Sequence, residues 1–301
     1  MAEMVKTKFS STSVITTELI PNITERAAPS PTGFLHLGHA FSALTAFKHV
    51  NKKNGMFKLR IEDIDYTRCK TEFEDLIYED LAWLGIEWVE PVLRQSERFI
   101  IYHEAINTLK KMGVIYGCSC SRSDINQVLS APNRSYFKNQ KVYPGTCREK
   151  NLKDGPLSLR LNTKMALKLI DKSELFFHEL GSGPELQKGK QCLIERDIIA
   201  EIGDPVIARK DIRTSYNLAV VVDDMAQNIT HITRGLDLFS STPIQVILQK
   251  LLGYKTPFYR HHKLITDKNG VRLAKRSDAT SIKHYRKKGF NPEDIWEMVK
   301  D

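Results

Sequence analysis

At 301 residues, 41% of them apolar and 27% charged, the chain is long enough for a full hydrophobic core in one large domain or two modest ones, with the composition of a soluble protein. No window reaches the roughly 18 consecutive apolar residues of a membrane span, and the N-terminus lacks the apolar core of a secretory signal, so a cytoplasmic protein without membrane attachment is expected. A net charge of +9 favours a polyanionic partner, and five cysteines, an odd number, argue against a disulfide framework.

Residues 1–25 read as a polar extension. The stretch APSPTGFLHLGHA (28–40) restricts the backbone at Pro29 and Pro31, frees it at Gly33, and runs into a helix, LGHAFSALTAFKHVNKK, that ends before Gly55. A helix N-terminus offers unpaired N–H groups and the positive end of a dipole, so Gly38 with His36 and His39 suits an anion; two surface histidines are the plainer alternative. MFKLRI is a short buried strand, and TEFEDLIYEDLAWLG and ERFIIYHEAINTLKKMG are amphipathic helices closed by Gly85 and Gly113. This alternation predicts an α/β fold, a parallel sheet covered by helices.

From Cys118 to about Leu157 the periodicity dissolves, as in an insertion. It returns in NLAVVVDDM, expected as an apolar strand running into two acids, and in ITHITRG, a second strand. STPIQVILQKLLG is a helix with Thr242 as expected N-cap, Pro243 in the first turn and Gly253 at its end. Between Lys255 and Lys288 lie eleven Lys or Arg against Asp267 and Asp278, a basic face suited to phosphate contact or simply to solvent. A short helix is expected after Asn291.

The ordered motifs together resemble the class I aminoacyl-tRNA synthetases of the glutamyl branch. HLGH (36–39) is similar to their first signature, LRIEDID (59–65) to the motif beside the amino-acid site, and VRLAKRS (271–277) stands where the second nucleotide loop belongs. YNLAVVVDD, THITRGLDL and STPIQVILQKLLG follow in the family's order. CSC (118–120) and YPGTC (143–147) resemble the zinc pattern of the short members, the glutamyl-Q tRNA(Asp) synthetases, which lack a helical anticodon-binding domain, and an end at residue 301 agrees with them. What this implies is a Rossmann-type catalytic domain divided into residues 26–117 and 191–256, an inserted zinc-containing subdomain at 118–190, and a KMSKS-like loop with a basic C-terminal segment at 257–301. It also implies a monomer that activates L-glutamate with ATP and Mg and passes it to queuosine of tRNA(Asp).

The resemblance assigns roles residue by residue. His36, His39 and Lys275 would stabilise the transition state, and Gly38, Asp237, Arg272, Leu273 and Ala274 would join them around the nucleotide. Arg26 and Arg234 would hold glutamate's carboxylates, Glu62 its ammonium, with Ala28, Ser30 and Tyr216 completing the site; guanidinium suits bidentate carboxylate pairing. Cys118, Cys120, Tyr143 and Cys147 would hold one structural zinc ion. Departures from the pattern are Ala274 in place of a hydroxyl residue, Ala27 where an aromatic is common, and Val220 where full-length glutamyl synthetases often carry Asn. A glutamyl-tRNA synthetase fragment charging tRNA(Glu), and a non-catalytic tRNA-binding module, are the alternatives.

Overall fold

The computed structural model describes residues 23–129, 142–265 and 281–300. Its elements in chain order are β1 (Thr24–Ala27), α1 (Leu37–Asn51), β2 (Met56–Ile61), α2 (Thr71–Trp83), β3 (Val89–Arg94), α3 (Phe99–Lys111), β4 (Ile115–Cys118) and α4 (Arg122–Leu129). There follow β5 (Ser158–Leu161), α5 (Thr163–Leu169), β6 (Phe176–Glu179), β7 (Gly189–Cys192), α6 (Glu195–Glu201) and β8 (Val206–Ala208). The chain continues with α7 (Tyr216–Ala226), β9 (His231–Gly235), α8 (Thr242–Leu251), β10 (Phe258–His262), α9 (Ile282–Lys287) and α10 (Pro292–Val299).

Strands β1, β2 and β3 pair in parallel, in the order β1-β2-β3. A second sheet runs β7-β6-β10-β9, parallel except for the antiparallel edge strand β7. The two sheets meet where Thr230, just ahead of β9, donates its N–H to the Thr24 carbonyl of β1 at 3.0 Å. Strand order therefore runs outward from β1 in one direction and from β9 in the other, and the carboxyl ends of these strands open onto a crevice at the reversal. An antiparallel sheet, β4-β5-β8, stands apart.

The helices that cover the sheets close as their glycines require: Gly85 and Gly113 follow α2 and α3 with φ of 72° and 70°, the left-handed region that other residues resist. Two expectations need correction. NLAVVVDDM is not a strand but most of α7, whose start is capped by the Ser215 hydroxyl accepting from the Leu218 N–H. Leu218 through Asp224 are all buried in this helix, and a helix surrounded by protein loses the polar face that would reveal a 3.6-residue period. Thr242 is the first residue of α8 and not its cap, because its hydroxyl instead accepts a hydrogen bond from Arg234.

From residue 281 the chain lies beside α1. Ser281 bridges to His36, and the Ile282 N–H donates to the Leu35 carbonyl at 2.8 Å. Helix α9 then lies on α2, where Arg286 reaches Glu79 at 2.8 Å and Asp80 at 3.5 Å. The Asp80 side chain is fully buried and neither of its oxygens accepts a hydrogen bond among the described residues. Burial, reinforced by Glu79 and only partly offset by Arg286, pushes its carboxyl up to about 6. A raised folded-state value adds stability in acid that is lost as pH climbs from about 4 to about 6, a contribution on the order of 3 kcal/mol. Asp80→Asn, which mimics the neutral acid, is therefore expected to raise the melting temperature at pH 8 and to match the parent at pH 4; equal melting curves at pH 8 would refute this.

Candidate active site

A cavity of about 310 Å³ opens at the strand-order reversal. Each wall comes from the carboxyl end of a strand or the turn behind it. Arg26 is the last residue but one of β1 with Ala28 and Ser30 following, Glu62 follows β2, Arg234 is the last but one of β9, and His36 caps α1 with His39 in its first turn. Tyr216, Gly38 and Asp237 also line it. The expected amino-acid and first-signature residues thus meet around one space. Arg272, Leu273, Ala274 and Lys275 lie outside the described residues, while Leu264 and Ile265, ahead of them, line the cavity.

His36 is the N-cap of α1, and the two histidines brace each other. The His36 Nδ1 accepts from the Gly38 N–H, and the His39 Nδ1 accepts from the His36 N–H, both at 3.1 Å. An imidazole that accepts at Nδ1 carries its proton at Nε2, so each neutral ring presents an N–H donor at Nε2. An added Cβ at Gly38 would lie 3.0 Å from the His36 ring, a tight contact that would push on the capping imidazole.

Three guanidinium groups and two carboxylates gather where the amino-acid site is expected. Arg26 donates Nε to Asp224 Oδ1 at 3.0 Å. Fully buried Arg60 donates Nη1 to the same oxygen at 2.7 Å and Nη2 to Glu62 Oε1 at 3.3 Å. Burial holds the Glu62 carboxyl above the usual range despite Arg60 and Arg26, a tension that a substrate ammonium would relieve. For Asp224 burial again opposes ionisation, but Arg26 and Arg60 overcome it and hold the carboxyl below its ordinary value. Arg234 is locked at Nε by His261, at Nη1 by Gln245 and at Nη2 by Thr242, within 3.0 Å in each case. Among the described residues those bonds use three of its five N–H groups, which leaves two for an anion.

A second cluster lies at the end of β4. The ligand atoms of Cys118, Cys120 and Cys147 fall within 4.8 Å of one another. The Tyr143 oxygen sits among them, 3.3 Å from the Cys118 sulfur and 3.6 Å from that of Cys120, and accepts from the Cys147 N–H at 3.0 Å. Burial pushes the Cys120 thiol up to about 11. At Cys147 burial is outweighed by hydrogen bonds from Tyr143, the Ser119 backbone and the other thiols, which bring it down to about 6. Zn–S bonds of about 2.3 Å in a tetrahedron separate sulfurs by about 3.8 Å. Cys120 and Cys147, 3.5 Å apart, need hardly move, so this donor set fits zinc.

Residues 22–300 match the family model for the catalytic domain of class I tRNA synthetases of the E and Q type. The chain belongs to that family. It is 45% identical over 277 residues to a glutamyl-Q tRNA(Asp) synthetase of Rhodobacter capsulatus, covering 91% of this chain and 98% of that protein. Identity to a glutamate–tRNA ligase of Hydrogenobaculum is 37% over 279 residues, and there the chain spans 57% of the longer protein. Among solved structures, a glutamate tRNA ligase from Elizabethkingia meningosepticum in complex with its amino acid superposes with a TM-score of 0.72 at 25% identity, over 92% of this chain and 60% of that one.

Not every residue at the site of this class I synthetase carries a sequence signal. Asp224 and Arg60 lie inside recognisable motifs, but one falls in an expected strand and the other in an apolar run, with nothing local to show that they meet across 164 residues. His262 and Ser42, joined at 2.6 Å between β10 and α1, also line the cavity and carry no signal for the same reason.

Proposed function

We propose that the chain activates L-glutamate with ATP and transfers it to queuosine in tRNA(Asp). The observation that carries this is the meeting, around one cavity, of Arg26, Arg234 and Glu62 with the histidine pair that opens α1. Arg26 and Arg234 hold the substrate's carboxylates and Glu62 its ammonium, with Ser30 and Tyr216 beside them. An oxygen of the α-carboxylate attacks the α-phosphorus of ATP, and pyrophosphate departs with the electron pair of the broken P–O bond. The Nε2–H groups of His36 and His39 and the cation of Lys275 stabilise the charge spreading over the phosphates, and the protein's work is alignment and electrostatics, with no covalent nucleophile. Magnesium entering with ATP supplies further countercharge. An acceptor hydroxyl then attacks the acyl carbon and AMP leaves.

The acceptor follows the Rhodobacter capsulatus protein, which this chain matches nearly end to end. Cys118, Cys120, Cys147 and Tyr143 would hold a structural zinc in the inserted subdomain, and a tRNA substrate places the activity in the cytoplasm. No helix among the described residues is long and apolar enough to cross a membrane. The likeness to glutamate–tRNA ligases supports a second reading, with tRNA(Glu) as acceptor. Incubation with labelled glutamate, ATP and separated tRNAs decides between them. Label is expected on queuosine-containing tRNA(Asp); label only on the 3′ end of tRNA(Glu) establishes the second reading instead.

A further inference from the structure

We propose that Asp224 is a positioning residue that sets both ends of the amino-acid pocket at once; this rests on the glutamate-activating reading above. Asp224 lies on α7, behind the cavity wall and nearly sealed from solvent. A single oxygen, Oδ1, accepts from Arg26 at 3.0 Å and from Arg60 at 2.7 Å. Holding Arg26 by Nε turns the edge that carries both Nη groups to other partners, and among the described residues those groups make no hydrogen bond within the protein. Arg60 has no solvent exposure and does not line the cavity. It passes the constraint on, because Gln227 at 3.1 Å and Asp224 fix one nitrogen while the other meets Glu62 at 3.3 Å. The carboxylate-binding and ammonium-binding sides of the pocket therefore share one buried anion as their reference point.

Charge leads to the same residue. Arg26, Arg60 and Arg234 outnumber Glu62 and Asp224 by one in this linked group, Asp237 elsewhere on the cavity lining apart, and a dicarboxylic amino acid with one ammonium carries the matching net charge of −1. Without Asp224 the excess doubles, and the two arginines repel each other with no common acceptor.

The neighbouring acid supplies an internal control. Asp223 is also buried, but it turns towards Tyr102 of α3 and towards Gln95 and Arg98 just ahead of that helix, which bond to it at 2.8, 2.9 and 2.7 Å. None of these three residues lines the cavity of Arg26 and Arg234, although Gln95 borders an adjoining one beside Glu62 and Tyr216. Asp223 thus ties elements together, whereas Asp224 aims the groups that meet substrate.

The test measures melting temperature and glutamate-dependent ATP–pyrophosphate exchange, with inhibition by glutarate, which has both carboxylates and no ammonium, and by 2-aminobutyrate, which lacks the side-chain carboxylate. Asp224→Asn should raise the KM for glutamate about 30-fold, the equivalent of one charge-assisted hydrogen bond, with the KM for ATP within twofold and both inhibitors weakened. Asp223→Asn should lower the melting temperature and leave the KM for glutamate unchanged. Arg60→Lys, which keeps the cation but cannot span Asp224 and Glu62 together, should weaken 2-aminobutyrate and spare glutarate. A KM for glutamate within threefold of the parent in Asp224→Asn, or equal rises for glutamate and ATP, overturns the proposal. Should Asp224→Asn fail to fold, Arg60→Lys decides, since equal effects on the two inhibitors overturn it as well. A parent chain without glutamate-dependent exchange removes the activity reading itself, whereas an active parent with an unmoved Asp224→Asn removes the positioning alone.

Discussion

Arg26→Met is expected to raise the KM for glutamate by about a thousandfold and to leave the KM for ATP nearly unchanged. The substitution keeps a flexible side chain of similar length at the end of β1 and removes only the charge and the N–H fork. Two losses add. The substrate carboxylate forfeits a charge-assisted partner in a site shielded from water, where breaking one member of such a pair costs about 2–5 kcal/mol. Asp224 also loses one of the two guanidinium groups that hold its carboxyl low, so its remaining charge is less well compensated. A total near 4 kcal/mol is a factor of about a thousand. The second loss has its own signature in pH. A carboxyl held low in the folded state contributes stability above its unfolded value, near 4, and loses it as pH falls through the folded value. Arg26→Met moves that folded value upward, so acid unfolding should begin at higher pH than in the parent. Exchange kinetics and melting curves from pH 3 to 7 check both parts, and a KM within threefold of the parent would rule out Arg26 as a substrate contact.

The histidine pair and the glycine between them mark a helix N-terminus in the sequence itself, because capping is local and its residues are adjacent in the chain. Glu62 is legible in the same way, as an acid at the end of an apolar strand. The helical character of α7 is not, because seven consecutive buried residues erase the periodicity that separates helix from strand. Nor is the anchoring of Arg234. Its partners are Thr242 and Gln245 on one helix and His261 on the next strand, with Glu179 from β6 holding His261 in turn at 2.5 Å. Such a network depends on which strands become neighbours. The pairing of β6 with β10 joins residues some 80 positions apart, and no local propensity encodes it. Sequence patterns thus reveal groups that act where they stand, and leave hidden the groups that act by holding others.

Chelation should have the largest effect on stability, and it should be local. The sulfurs of Cys118, Cys120 and Cys147 and the Tyr143 phenol form a small cluster with, among the described residues, Tyr116, Ile125 and Leu152 packed around it, little apolar surface to hold a chain segment by packing alone. Arg160, its guanidinium 3.6 Å from the Tyr143 ring, ties the cluster to β5. A structural zinc in such a site contributes on the order of 10 kcal/mol of folding free energy to the segment it organises. Removing it with a strong chelator, or replacing Cys147 by Ser, is expected to produce a separate low-temperature unfolding step and rapid proteolysis near residues 119–157. The parallel sheet, whose core lies in α1, α7 and α8, should keep its main transition. Glutamate-dependent pyrophosphate exchange should survive in part, because none of the four donors lines the active-site cavity, while transfer to tRNA should fall much further. One equivalent of zinc per chain by elemental analysis, lost with the low-temperature step, completes the expectation. A protein that contains no zinc as purified, or one whose melting curve and proteolysis are indifferent to chelator, would show that the three thiols and the phenol are held by packing alone.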